Sequence, residues 1–149
     1  MSPPSFLLFY STKYYYFYHR AKYVGDFFKG KKHGHGKIEY EEENSSYEGG
    51  WHMDSKHGKG KSCINGTIYE GDYKHGKRDG KGKLQAISGN VYEGEFKNDR
   101  KDGKGKLIYP PLSPLDMPRI LEGNWEKDKF VSERPLTSVS VNVISQTLN

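Results

Sequence analysis

Cysteine is almost absent: Cys63 is the only one in 149 residues, so the chain can form neither an internal disulfide nor a multi-thiolate metal site. A reducing, cytoplasmic compartment is the expectation. Aliphatic core-formers are scarce too. Leu, Ile, Val and Phe number 29, just under a fifth of the chain, a share at which a strongly charged sequence would stay disordered. Charge of one sign is also lacking, since 24 basic and 19 acidic residues leave a net of +5. No stretch approaches the ~20 apolar residues of a membrane-spanning helix. The apolar run from Phe6 to Tyr10 is cut by Ser11, Thr12 and Lys13 and has no basic residue ahead of it, so a secretory signal is not expected. What the chain does have is glycine and rings: 18 Gly, 12 Tyr, 7 Phe and 2 Trp. A conventional globular enzyme interior is not the expected outcome.

These residues recur with a period. Segments beginning at Tyr23, Tyr47, Tyr69 and Tyr92 are 24, 22 and 23 residues apart, and a degenerate fifth begins 29 residues later at Leu121. They read YVGDF, YEGGW, YEGDY, YEGEF and LEGNW. Glycine follows two residues after each start, and an aromatic four after: Phe27, Trp51, Tyr73, Phe96 and Trp125. Four units then carry GxGK, as Gly34 to Lys37, Gly58 to Lys61, Gly80 to Lys83 and Gly103 to Lys106. Thirteen of the 18 glycines occupy these three slots.

Both motif halves alternate with period two, which in a strand places Tyr69, Gly71 and Tyr73 on one face and Glu70 and Asp72 on the other. A hairpin in which Tyr69 faces Leu84, Gly71 faces Gly82 and Tyr73 faces Gly80 gives each ring a small or apolar partner. The same alignment sets Glu70 against Lys83, Asp72 against Lys81, Glu93 against Lys106 and Glu95 against Lys104. Rings of a neighbouring hairpin are expected to cover the glycines. Asn65-Gly66 and Gly89-Asn90 read as two-residue turns between units. The fold expected is all-β: an elongated, single-layer antiparallel meander of stacked hairpins.

The two motifs resemble the MORN (membrane occupation and recognition nexus) repeat over residues 23–130. The units are 23–46, 47–68, 69–91 and 92–120, with a partial one over 121–130. Departures are Gly50 in an often acidic slot, an insertion in the fourth unit, and Leu121 with no GxG in the fifth, which reads as a cap. The resemblance implies a MORN-like solenoid and a scaffold that binds protein partners at cytoskeletal, ciliary or axonemal, and membrane-contact structures. The family name also implies phospholipid binding.

The flanks carry no repeat. Residues 1–22, with FLLFY and YYYFYH, read as an aromatic strand capping the first hairpin, or else as a partner-binding tail. Residues 109–118 hold four prolines and break the array. Residues 131–149 form a tail in which Ser138 to Val143 alternate as a strand would.

Catalytic and cofactor chemistry finds no footing. His33 and His35 stand where later units carry Asp79, Asp102, Lys59 and Lys81, so slot variation accounts for them without a metal. The Gly-rich segments lack the Gly-Lys-Ser/Thr ending of a phosphate loop. No catalytic residue and no cofactor is expected. The core residues expected are Tyr23, Phe27, Tyr47, Trp51, Tyr69, Tyr73, Tyr92, Phe96 and Trp125. Over residues 23–130, 20 basic residues meet 18 acidic ones, and the surplus falls between the motif halves, in what the alignment makes six-residue turns. Lys29, Lys31, Lys32, Lys56, Lys74, Lys77, Arg78, Lys97, Arg100 and Lys101 would line one edge. From these, Lys31, Lys32, Lys56, Lys74, Lys77, Arg78, Arg100 and Lys101 are the candidate sites for an acidic partner. An acidic run, Glu39 and Glu41 to Glu43, would mark the other edge. The expected function is a non-enzymatic scaffold or protein-protein interaction module in a larger cytoskeletal or ciliary assembly. The alternative is a membrane-peripheral binder of anionic phospholipids such as phosphoinositides. Nucleic acid is not expected, and open sheet ends would favour homo-oligomers.

Overall fold

Antiparallel pairing organises the described residues. The computed structural model describes residues 11–18, 21–41 and 44–133. Its strands are β1 (Ser11–Tyr18), β2 (Ala21–Phe28), β3 (Lys31–Tyr40), β4 (Ser45–His52), β5 (Ser55–Ile64), β6 (Thr67–Lys74), β7 (Lys77–Gln85), β8 (Val91–Lys97), β9 (Arg100–Tyr109), β10 (Arg119–Glu126) and β11 (Lys129–Glu133). They form one 11-stranded sheet in sequence order. There is no helix among the described residues. Ser11–Tyr18 adds to the first hairpin by pairing with β2. The expectations for Phe6 to Tyr10 and for Ser138 to Val143 fall outside the described residues.

The alignment holds as far as the paired glycines. Tyr69 faces Leu84, Glu70 faces Lys83 and Gly71 faces Gly82. Beyond them it slips by two, so that Tyr73 faces Arg78 and Lys74 faces Lys77. The same slip follows Gly25, Gly49 and Gly94. What was expected as a six-residue turn is a two-residue turn followed by a bulge in the second strand. The bulge is made possible by the first glycine of GxG, which takes a left-handed φ of 66° at Gly34, 71° at Gly58, 114° at Gly80 and 106° at Gly103. The tips are Lys29-Gly30, Met53-Asp54, His75-Gly76, Asn98-Asp99 and Lys127-Asp128. Every residue in these pairs has positive φ, the twist that matches flanking strands.

Between units, Asn65-Gly66 is a two-residue turn, with Ile64 facing Thr67. Gly89-Asn90 is not one: it ends a five-residue connection over 86–90, where the Asn90 carbonyl accepts from Ala86 N–H and the Ala86 carbonyl from Gly89 N–H. The fifth unit, expected as a cap, is a full hairpin of β10 and β11.

The slip also changes the charge pairing. Asp72 does not ion-pair with Lys81; its Oδ2 accepts the Lys81 N–H at 3.0 Å, and Oδ1 lies 2.7 Å from Lys59 Nζ of the preceding strand. Glu95 accepts the Lys104 N–H in the same way at 3.2 Å, and Asp26 that of His35 at 3.0 Å. The bulge releases an N–H, and in the β2–β3, β6–β7 and β8–β9 hairpins the acidic slot captures it; in β4–β5 that slot is Gly50. Glu70 and Lys83 are cross-strand neighbours as expected, but their ion pairs reach to adjacent hairpins, Lys61 to Glu70 at 3.8 Å and Lys83 to Glu93 at 2.7 Å. The register extends this into an alternating row from Lys37 through Glu48, Lys61, Glu70, Lys83, Glu93 and Lys106 to Glu122.

Candidate functional site

The other face is a ladder of rings. In order along the array, Phe27, Tyr23, Trp51, Tyr47, Tyr73, Tyr69, Phe96, Tyr92, Trp125 and Phe130 each meet the next edge to face, with centroids 5.1–5.5 Å apart. Each such pair contributes ~0.5–1.5 kcal/mol beyond area burial. All nine expected core aromatics are in this ladder. Tyr23, Tyr47, Tyr69 and Tyr92 each donate a hydroxyl hydrogen bond, at 2.8–3.1 Å, to the carbonyl three residues on. Each of these rings covers the second GxG glycine of its own hairpin, where a Cβ would strike the ring. The expectation that a neighbouring hairpin's ring does so is thus corrected; the neighbour's contribution is a Trp indole, with Trp51 Nε1 donating to the Gly36 carbonyl at 3.0 Å and Trp125 Nε1 to Gly105 at 3.1 Å. Tyr73 donates to buried Ser62 Oγ at 2.8 Å. Burial raises the phenol pKa of Tyr23 and Tyr92 to about 12, with smaller contributions from Asp26 and Glu95, and raises those of Tyr47 and Tyr69 further.

The aromatic face is therefore not an open docking surface; Tyr47, Tyr69 and Tyr92 are only 1–2 % exposed. Its lid is cationic. The slip brings Lys32, Lys56, Arg78 and Lys101 out of the expected turns and onto the rings. Lys32 Nζ lies 5.1 Å from the Trp51 centroid, Lys56 Nζ 4.8 Å from Tyr47, Arg78 Cζ 5.3 Å from Phe96, and Lys101 Nζ 5.0 Å from Trp125. Their alkyl stems cover apolar surface while the charge meets ring faces. Burial lowers the pKa of both Lys56 and Lys101, and a carboxylate partly offsets this in each case, Asp99 for Lys56 and Asp128 for Lys101.

The remaining candidates are placed differently. Lys31, Lys74, Lys77 and Arg100 are exposed at the hairpin tips with Lys29, Lys97, Lys127 and Lys129, and none of these makes an ion pair among the described residues. The eight expected site residues thus divide into four packed cations and four free ones. The opposite edge is not simply acidic: Glu39 is engaged by Lys37 at 2.5 Å, Glu42 and Glu43 lie outside the described residues, and exposed apolar residues collect in the connections at Ile87, Leu112, Leu115 and Met117.

Sequence reasoning missed one feature, the tip staple. The backbone N–H of Asp54, Asp99 and Asp128 donates at 2.9 Å to the carbonyls of Lys32, Arg78 and Lys101 in the preceding hairpin. Each aspartate Oδ1 accepts the N–H of that same residue, at 2.8, 2.9 and 2.9 Å. Its signal is present in the sequence: seven residues after each unit start stands Gly30, Asp54, Gly76, Asp99 or Asp128.

No group of three or more His, Cys, Asp or Glu among the described residues is placed to hold a metal. The MORN repeat pattern matches the chain four times, at residues 23–44, 47–68, 69–91 and 92–111. The chain belongs to the MORN repeat family. MORN repeats are generally non-catalytic and are consistent with a repeat-based binding or scaffold module. The four matches coincide with the hairpins β2–β3, β4–β5, β6–β7 and β8–β9. The β10–β11 hairpin extends the MORN array past the last of them, with Phe130 taking the ring-covering place of the cation.

Proposed function

We propose that this MORN chain is a non-enzymatic protein-protein interaction module in a larger assembly, cytoskeletal or ciliary in kind, and that the hairpin tips meet an acidic protein surface. The supporting observation is the row of unpaired cations at the tips, Lys31, Lys74, Lys77 and Arg100 with their neighbours. Individually each contributes little against solvent, but several in one row act together on a multiply charged partner. A membrane is the less favoured target. Stable peripheral binding combines charge with apolar insertion, and here most exposed apolar side chains, Ile64, Ile87, Leu112, Leu115, Met117 and Ile120, sit at the strand ends opposite the cations.

The test is a variant with Lys74, Lys77, Lys97 and Arg100 all changed to Glu, checked for an unchanged melting midpoint. Capture of native protein partners should fall sharply. Capture unchanged would remove the tips from the mechanism, and loss of binding to anionic liposomes with protein capture intact would favour the lipid reading.

A further inference from the structure

One tip staple differs from the others. At Lys56 the backbone half is present, Gly76 N–H donating to the Lys56 carbonyl at 2.9 Å. The side-chain half is missing because residue 76 is glycine. Lys32, Arg78 and Lys101 each give their N–H to an aspartate; no side chain accepts that of Lys56 among the described residues. Lys32 Nζ lies 3.7 Å and Arg78 Nε 3.4 Å from the same aspartate oxygens, while the Lys56 ammonium has rings on two sides, Tyr47 at 4.8 Å and Tyr73 at 5.8 Å, and no carboxylate paired with it. Burial lowers its pKa, and the Asp99 carboxylate offsets this only in part.

The place an aspartate side chain would fill is open. A Cβ on Gly76 would meet nothing within 4 Å. Beside it lies a cleft of about 510 Å³ that Lys56, Tyr73, Gly76, Arg78 and Asp99 line at one end of a longer run reaching Ile64 and Leu84. The one acid there, Asp99, is engaged by the Arg78 N–H and guanidinium.

We propose that the notch at Gly76 is a carboxylate-binding site that takes an aspartate or glutamate side chain of a partner protein. The incoming carboxylate accepts the Lys56 N–H, as Asp54, Asp99 and Asp128 accept those of Lys32, Arg78 and Lys101, and pairs with Lys56 Nζ, as Asp54 does with Lys32 Nζ. Three copies of the same repeat show the geometry in which this position holds a carboxylate. The site stands on that internal comparison and does not depend on the exposed tip cations.

The experiment follows the backbone amide of Lys56 by ¹⁵N NMR on the full chain. The probes are sodium acetate, with sodium chloride at equal ionic strength as reference, and an octa-glutamate peptide. The Lys56 amide should move downfield and saturate with the peptide, and with acetate at higher concentration, while the amides of Lys32, Arg78 and Lys101 move little. Gly76→Asp should abolish the response, since its own carboxylate takes the place; aspartate adopts this backbone at Asp54, Asp99 and Asp128. A Lys56 amide that moves no further than the other three, or an undiminished response in Gly76→Asp, overturns the proposal. Response to acetate without response to the peptide overturns the protein partner and assigns a free small carboxylate. Persistence of the Lys56 response in a variant with the distant tip cations Lys29, Lys31, Lys127 and Lys129 changed to Glu separates this site from the tip reading, and its loss there overturns the proposal.

Discussion

Adding one carbon at Gly82 should unsettle the array more than adding it at Gly76. A Cβ at Gly82 would stand 2.5 Å from Cε2 and Cζ of Tyr69, and closer still to Oη, so the ring must retreat by roughly 1 Å to regain ordinary contact. The ring has little freedom to do so. Its hydroxyl is bound to the Asp72 carbonyl at 3.0 Å, and it packs on Tyr73 and Phe96 at 5.2 and 5.1 Å. Overpacking costs ~1–3 kcal/mol and a weakened hydroxyl hydrogen bond ~1 kcal/mol. The stiffer unfolded chain returns ~0.5–1 kcal/mol. The net expectation for Gly82→Ala is a loss of about 2 kcal/mol, read by urea unfolding followed by circular dichroism. Gly76→Ala has open space but a φ of 83°, so it should cost only the left-handed strain of ~1–2 kcal/mol. Pairing each with Tyr69→Leu separates the two causes: the Gly82 loss should shrink and the Gly76 loss should not. A Gly82→Ala protein as stable as wild type, or strict additivity with Tyr69→Leu, would refute the ring-on-glycine packing.

Other perturbations address the staples and the buried hydroxyls. Asp99→Ala should lose ~1–2 kcal/mol by leaving the Arg78 N–H without its acceptor, whereas Asp99→Asn should lose less; equal losses in thermal melts would contradict the staple. Tyr73→Phe should destabilise by leaving Ser62 Oγ unpaired, and adding Ser62→Ala should recover part of the loss; additive losses in a double-mutant cycle would be the contrary result. Tyr23 and Tyr92 have folded pKa values raised to about 12, so the stability they contribute is complete below the unfolded phenol value near 10 and is lost as pH rises from there towards 12. Melting midpoints should hold to about pH 9 and then fall with tyrosinate absorbance rising in the same transition, and a midpoint flat to pH 12 would exclude this linkage.

The legible part of the fold was whatever alternation and repetition encode. Tyr69, Gly71 and Tyr73 announced the aromatic face, and Glu70 with Lys83 the register up to the glycines. The slip beyond them was not legible from alternation, because a bulge inserts residues without changing the pattern on either side. Gly80 carries the clue, since a strand glycine marks either a bulge or a close approach, and alternation alone points to the second. That one omission misplaced the site. It put Lys32, Lys56, Arg78 and Lys101 in solvent, when the shortened turn sets them on the rings. The staple escaped for a related reason: Asp54, Asp99 and Asp128 read as turn residues, and their second role needs the next hairpin's position.

The central claim, that exposed tip cations recognise an acidic partner, is tested most directly by salt. Dissociation constants of the natively captured partner should be measured for wild type and for the variant with Lys74, Lys77, Lys97 and Arg100 changed to Glu, across a range of sodium chloride concentrations. Exposed charges are screened within about 10 Å at ~0.1 M salt, so wild-type affinity should weaken steeply as salt rises, and the variant should bind weakly with little salt dependence. Affinity insensitive to salt, and equal in the two proteins, would contradict the account.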